Sequence, residues 1–373
     1  MIDPIPKFIY INLPPFIKMK KLKSVPVYIF LTINYLFVSI FVSCSSDIIE
    51  PNPIAQNIDT INYFNFRIDT LRSPLAAQFY IYDTNNVFYP SYDGNLYHYS
   101  DLSYQSISFN DPDFGPSTSN GYNNHSVFIG GFGNSGLTNN IKLKKFTGSS
   151  FESYDVQEDT NLLVRNLLVT GENQVWIVTF YNSVYYFESG NFTKYLLDSA
   201  IYGRMFFKKN GDVFLFAVNS LQFDSSVNYT YKFNGSGFTL LTIDSSHASL
   251  NYDLSTRIII CGQDIIRLAK SSLYYFDGNS WQFLCNTNFQ PFTLAGESKD
   301  NLVCYGSDNV TFSKEFYIRK DNKWYVESKR SPFQTGNNLL SSDLYYSQGK
   351  YYLLYVYAYN FFTTIIMQCN TIK

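Results

Sequence analysis

The feature that most constrains this chain is a pair of aromatic residues five positions apart that straddles a turn and recurs along most of its length. The clearest copy is SLYYFDGNSWQFL, residues 272–284, where Phe276 and Trp281 flank Asp277-Gly278. The other pairs are Tyr99 with Tyr104, Phe146 with Phe151, Phe187 with Phe192, and Phe233 with Phe238. In a sixth copy Arg319 replaces the first aromatic and Trp324 keeps the second. Gly, Asn and Asp between the two members tolerate the positive φ that a hairpin turn demands. A tyrosine two residues before the first member (Tyr97, Tyr185, Tyr231, Tyr274, Tyr317) gives the period-two alternation of a strand with one buried face.

The second members, Tyr104, Phe151, Phe192, Phe238, Trp281 and Trp324, are separated by 47, 41, 46, 43 and 43 residues. Strand-filled repeats of that period are expected of β-propeller blades. A turn residue followed by a short apolar strand recurs independently, starting at Val87, Val127, Val175, Val213, Ile258, Leu302 and Tyr351. These starts predict an all-β, seven-bladed β-propeller, with six or eight blades as the alternatives. The last repeat stops after Cys369 without its turn and aromatic pair, whereas Ile61–Ile68 alternates like a strand near the start. The ring is therefore expected to close by pairing these two ends, which removes exposed sheet edges. Trp281 and Trp324 are expected at equivalent, largely buried places. Ser108–Asn124, rich in turn formers, is expected to be the longest irregular segment.

The N-terminal part reads differently. Residues 1–18 contain four prolines and resemble an over-extended start, with Met19 as the initiator. Lys20, Lys21 and Lys23 then precede an apolar run from Val27 to Ser43, the pattern of a secretory signal over residues 19–43. Phe41-Val42-Ser43-Cys44 resembles the lipobox of bacterial lipoproteins, although Phe41 stands where Leu is usual. That resemblance implies cleavage before Cys44, acylation of its sulfur, and a lipid-anchored protein at the outer membrane or cell surface. A single membrane span is the alternative reading of the run. Residues 44–58 then form a lipidated cysteine and tether, and residues 59–373 the propeller domain.

The turn Phe276-Asp277-Gly278-Asn279-Ser280-Trp281 resembles blade hairpins of kelch-like and two-component-regulator-type propellers. It also stands near the sialidase Asp-box, but Gly follows Asp directly and no sialidase catalytic set can be identified. Most repeats lack the kelch double glycine. The resemblance implies a fold and not an activity.

Chemistry-bearing residues are sparse. From Cys44 onward the chain carries 23 Lys plus Arg against 29 Asp plus Glu, so nucleic acid is not an expected partner. Cys261, Cys285, Cys304 and Cys369 form no C-x-x-C pair and read as small apolar residues, with their disulfide state open. His98, His125 and His247 have no acidic or histidine cluster beside them, so no metal and no cofactor is expected. Gly130, Gly131, Gly133 and Gly136 are followed by no helix pattern and read as a blade turn. Glu172, Asp212 and Asp300 precede apolar strands at repeated positions, which suits turns better than catalysis. No catalytic residue is named. The expected function is a non-catalytic, monomeric binding module at the cell envelope, with a protein or glycan partner. The alternatives are a glycan hydrolase or lyase with its site at the central channel, and a structural envelope assembly protein.

Overall fold

A computed structural model describes residues 58–371, apart from 72–77, 84–85, 101–102, 134–139, 157–162, 181, 199–200, 220–225, 247–255, 270, 329–338 and 358–362. The signal, Cys44, residues 45–57 and His247 lie outside the described residues. Residues Ala55–Lys373 form one compact unit.

The described strands form seven sheets built on antiparallel meanders, four strands in chain order in the first six and three in the seventh. Sheet one runs from Tyr80 to Ser108, sheet two from Phe114 to Val156, and sheet three from Val164 to Leu196. Sheet four runs from Tyr202 to Ser246, sheet five from Thr256 to Asn286, and sheet six from Gln290 to Glu327. Sheet seven comprises Leu339–Ser347, Lys350–Tyr357 and Thr363–Thr371, and its fourth strand comes from the other end of the chain, Phe64–Leu71. The pairing is antiparallel, from Phe64 opposite Thr371 to Leu71 opposite Thr364. Its register places Phe66 opposite Cys369, in the way that Trp324 stands opposite Arg319 in sheet six. The two chain ends thus supply together the pair that the last repeat lacks.

All six aromatic-turn pairs identified in the sequence are direct cross-strand partners at the hairpin between third and fourth strands: Tyr99↔Tyr104, Phe146↔Phe151, Phe187↔Phe192, Phe233↔Phe238, Phe276↔Trp281 and Arg319↔Trp324. The two-residue turns Ser189-Gly190 and Asp321-Asn322 hold positive φ at both positions. Mirror-image turns of this kind match the right-handed twist of the flanking strands.

Burial follows the period-two alternation. The seven hydrophobic clusters each lie between consecutive sheets. Phe88, Phe109 and Leu96 of sheet one meet Phe114, Val127 and Phe146 of sheet two, for example. Tyr345 and Tyr352 of sheet seven meet Phe79, Val87 and Tyr89, so the last sheet packs on the first. Polar side chains link the innermost strands. Ser117 Oγ donates to Val164 O at 2.7 Å, Asn120 Nδ2 to Leu167 O at 2.9 Å, and Ser119 Oγ to Gln78 O at 2.6 Å. Thr293 Oγ1 accepts from Leu344 N at 2.9 Å. These bonds serve backbone groups on the inner edge of each sheet, which has no strand beyond it.

Four expectations are corrected. Ser108–Asn124 is not an irregular segment: Phe114–Asn123 is the innermost strand of sheet two, with register shifts at Pro116 and near Asn123. Its small polar residues are there to bridge neighbouring strands, which made it look like a loop. Gly130, Gly131 and Gly133 lie inside the strand Ser126–Gly133 rather than in a turn. A Cβ on Gly130 would come within 2.6 Å of Val164 Cγ1, and one on Gly131 within 2.5 Å of the Phe114 ring. The apolar strand from Ile258 is the innermost strand of sheet five. The counterpart of the other second strands starts at Ile265, one turn later at Gly262-Gln263. Trp281 and Trp324 are equivalent in register but only half-buried, because the fourth strand is the outermost.

The N-terminal crossing between sheets is fastened at one carboxylate. Asp59 and Ile61 accept from Val326 N and Ser328 N at 2.9 and 2.8 Å, so Thr60–Ile61 runs parallel to Lys323–Glu327 as a fifth strand of sheet six. The chain then passes to sheet seven, and Glu327 Oε2 accepts from both Tyr63 N and Phe64 N at 2.8 Å. Glu327 is 3% exposed and Phe64 fully buried. Glu327→Ala should destabilise the fold by about 2–3 kcal/mol, because two donors lose their acceptor. Glu327→Gln, which keeps one oxygen, should cost less. Denaturant melts of the two variants check this, and equal midpoints for both and wild type would show that water replaces the carboxylate.

Candidate functional site

Two grooves and one ion pair gather polar side chains in the ring. In an antiparallel meander, the turns after the first and third strands lie at one end of the sheet and the turn after the second at the other. Two grooves open at the first of these ends.

The larger groove lies between sheets three and four and has a volume of about 820 Å³. Trp176, Tyr186, Tyr195 and Phe233 line its interior, and Gln174, Glu188, Asn191, Thr193 and Lys208 its rim. The aromatic interior is a consequence of the repeat. Trp176 belongs to the apolar second strand of sheet three, and Phe233 is the first member of the sheet-four pair. Trp176 packs edge-on against Phe233 at 4.6 Å and tilted against Tyr186 at 4.6 Å. Gln174 Nε2 donates to Glu188 Oε1 at 2.7 Å, which fixes one wall. Burial and the neighbouring Glu188 push the Tyr186 hydroxyl above its usual range, so it stays protonated and able to donate.

The second groove, about 480 Å³, is lined by Tyr63, Asp300, Asn301, Lys320, Asp321 and Asn322. Hydrogen bonding from Lys299 at 2.7 Å, aided by Arg319, holds the Asp300 carboxyl below the usual range against the opposing effect of burial. An ionised carboxylate here cannot serve as a general acid. Arg319, nearly buried, donates to Lys299 O at 2.7 Å and Asn322 Oδ1 at 2.9 Å. It stands where sheets one to five carry an aromatic because it binds the two turns of this end together.

The central channel carries an ion pair, Arg257 Nη1 to Asp343 Oδ1 at 3.0 Å, which joins the innermost strands of sheets five and seven. Burial pushes the Asp343 carboxyl up, against the pull of Arg257. A glycan hydrolase would need a second carboxylate facing it. The charge that acts on Asp343 is that of Arg257.

The residues singled out in the sequence divide among these places. Of the repeat aromatics, Phe151, Phe192, Phe238, Trp281 and Trp324 pack half-buried between sheets, whereas Tyr104 is 53% exposed. Glu172 lies in the turn Gly171–Gln174, where its carbonyl accepts from Ser126 Oγ, and Asp212 pairs with Lys232 at 2.7 Å. His98 stacks on Phe88 at 4.4 Å and bonds Asn86 Oδ1 through Nε2 at 3.0 Å, and His125 is exposed. No group of three or more His, Cys, Asp or Glu among the described residues could hold a metal ion. Cys261, Cys285, Cys304 and Cys369 are free thiols, all but Cys285 buried. The sequence reading missed both grooves and the ion pair in the channel, since each joins residues of different repeats.

No family model and no curated protein matches the sequence. Solved structures do match in fold. YCF48 bound to a D1 peptide superimposes with a TM-score of 0.59 at 12% identity, covering 84% of this chain and all of that one. The β-propeller domain of Cps50 (Swd1) from Myceliophteria thermophila gives 0.55 at 8% identity, covering 82% and 99%. The extracellular domain of a protein described as a one component system from B. thetaiotaomicron gives 0.51 at 12% identity, covering 82% of this chain and 40% of that one. At these identities the likeness shows the fold, a β-propeller, and nothing of function.

Trp281 ties sheets four and five through Thr230 Oγ1, which accepts from Nε1 at 2.9 Å, and within sheet five its ring lies 5.0 Å from the guanidinium of Arg267. Trp281→Phe should therefore lower stability by about 1–2 kcal/mol, losing one hydrogen bond and part of a cation–π contact. An unchanged denaturation midpoint would show that this bridge contributes nothing.

Proposed function

We propose that the chain is a lipid-anchored, seven-bladed propeller that binds an extended segment of a partner protein at the cell envelope without catalysing a reaction. Each of the seven sheets is one blade in this reading, and Cys44 carries the anchor. The observation that carries the function is the groove between sheets three and four. It is open and lined by aromatic side chains, with hydrogen-bonding groups and one charge of each sign among its lining residues. Such a surface offers apolar pockets for alternate side chains and polar anchors for a backbone. A fold neighbour is a protein seen with a bound peptide, which supports the reading by analogy of fold.

The enzyme alternative has less support. Asp300 is ionised, and Asp343 is committed to Arg257. A peptide library displayed against the full-length protein in detergent should enrich binders. Thr193→Arg together with Lys208→Glu should weaken those binders at least tenfold. Both side chains are exposed, so the fold should melt as in wild type. Enriched peptides that bind the double variant unchanged would move the site elsewhere on the ring.

Delivery has its own test. Cys44→Ala should abolish incorporation of radiolabelled fatty acid and leave a precursor of higher mass. Label persisting in the variant would remove the lipoprotein assignment while leaving the groove untouched. Durable attachment is expected from acylation because each buried methylene contributes about 0.8 kcal/mol and several chains act together.

A further inference from the structure

The sheet-three wall of the larger groove is built of two cross-strand rows. Gln174, Glu188 and Asn191 are successive partners at the lip, beside the turns. Trp176, Tyr186 and Thr193 are successive partners two residues deeper. Such rows run across the strands, from the inner edge of the sheet to the outer one. A ligand lying along them therefore has one end at the channel and the other at the rim of the ring. Innermost and outermost strands are three spacings apart, about 14 Å, which an extended chain covers in about four residue steps. Trp176 is buried and forms the floor, whereas Tyr186, Tyr195 and Phe233 are half-buried and present ring surface.

The two charges of the groove are not equally available. Glu188 accepts from Gln174 Nε2 at 2.7 Å, and the Tyr186 hydroxyl bonds the same carboxylate. Its charge is thus shared by two donors of its own wall. Lys208 belongs to the facing wall, on the innermost strand of sheet four, where it stands opposite Val213 and is exposed. The carboxylates near it in sheets four and five are taken by other lysines. Asp264 pairs with Lys209 at 3.6 Å and Asp212 with Lys232 at 2.7 Å. Lys208 makes no hydrogen bond or ion pair among the described residues. The charge left for a ligand is therefore positive, and it stands at the channel end of the rows. An ion pair on an open surface contributes little, but one at the end of a lined groove is less screened and fixes the direction of a bound chain.

We propose that the segment held by this groove is acidic: an extended run of about five residues that places a carboxylate at Lys208 by the channel and apolar side chains over Tyr186, Tyr195 and Phe233 toward the rim. The proposal rests on the binding reading above and adds to it the partner's charge and its direction in the groove. A basic segment is disfavoured, because Lys208 repels it and Glu188 already has its donors. The chain from Cys44 onward is net acidic, so an acidic ligand gains nothing from the field of the whole molecule. Its affinity depends on this one lysine and on the rings.

The test selects a random peptide library on the full-length protein in detergent, in parallel on wild type, Lys208→Gln, Lys208→Glu and Thr193→Arg. Both positions are exposed, and melting curves check that the variants are folded. Peptides seated in the groove are recognised by their loss on Thr193→Arg, which puts a bulky side chain into the deeper row. Among these, Asp or Glu should be enriched at one position, with apolar residues three or four places to one side of it. Lys208→Gln should weaken them by about fivefold or more, as loss of a partly shielded ion pair does. Lys208→Glu should select Lys or Arg at the same position instead. Added salt should lower their affinity for wild type and leave that for Lys208→Gln nearly unchanged. Groove-seated peptides with no acidic preference and equal affinity for Lys208→Gln overturn the acidic assignment and leave the binding reading standing. Peptides that bind Thr193→Arg as well as wild type overturn both.

Discussion

Everything in this ring depends on one antiparallel pairing between its two chain ends. Sheet seven has only three strands of its own, and Phe64–Leu71 supplies the fourth. Because each sheet buries its faces against its neighbours, no sheet has a complete core in isolation. An unpaired outer edge on sheet seven would expose the polar backbone of Thr363–Thr371 and leave Phe64 without the pocket of Phe316, Tyr351 and Cys369 that it fills. Loop closure over nearly the whole chain is entropically unfavourable, so the joint is reinforced: Glu327 accepts two backbone donors, and a parallel strand runs beside sheet six.

With the ring closed, its radial geometry determines which residues stand where. Innermost strands crowd together, and in sheets two and six small polar residues such as Ser117, Asn120 and Thr293 reach the neighbouring inner strand directly. Farther out the sheets diverge, and the wider gap is filled by rings: Phe207, Phe214, Phe276 and Trp281 between sheets four and five, and Phe289, Tyr317 and Trp324 between five and six. Two buried cations also pack among the rings. Arg267 lies against Tyr274 and Trp281 and pairs with Asp244, and Arg319 stands in for an aromatic in sheet six. The grooves follow from the same divergence. Between sheets three and four the aromatic filling stops short of the turns, and the walls of that gap become the lining of the site.

How much of this was legible in the sequence varied with how local each feature is. The aromatic pairs and their turns are determined within a dozen residues, and every one of them proved to be a cross-strand pair. Closure was legible because two incomplete ends complement each other. Phe114–Asn123 was not legible as a strand, because its residues are chosen for contact with strands on either side and not for alternation. Ile258 was mistaken for a second strand because Ile-rich runs occupy both the first and second strands of sheet five, and only the turn at Gly262 orders them. The grooves had no sequence signal, since Trp176, Tyr195, Lys208 and Phe233 come from separate strands of two repeats. A site assembled from repeated structural residues leaves no singular motif.

The two ends of the ring differ in kind, and the difference bears on function. At the groove end the polar and charged rim surrounds concave aromatic surface, and the hydrogen bond from Gln174 to Glu188 fixes the sheet-three wall. At the other end, in sheet six, the turn at residues 308–313 exposes Val310 and Phe312, held out by a loop whose Asp308 accepts from Val310 N and Thr311 N. A concave, mixed lining discriminates among ligands, because a polar group buried there without a partner is costly. A convex apolar tip discriminates little and needs only a cover. The groove end therefore suits recognition of a ligand that carries both apolar and polar groups, and the loop end suits burial against an apolar surface.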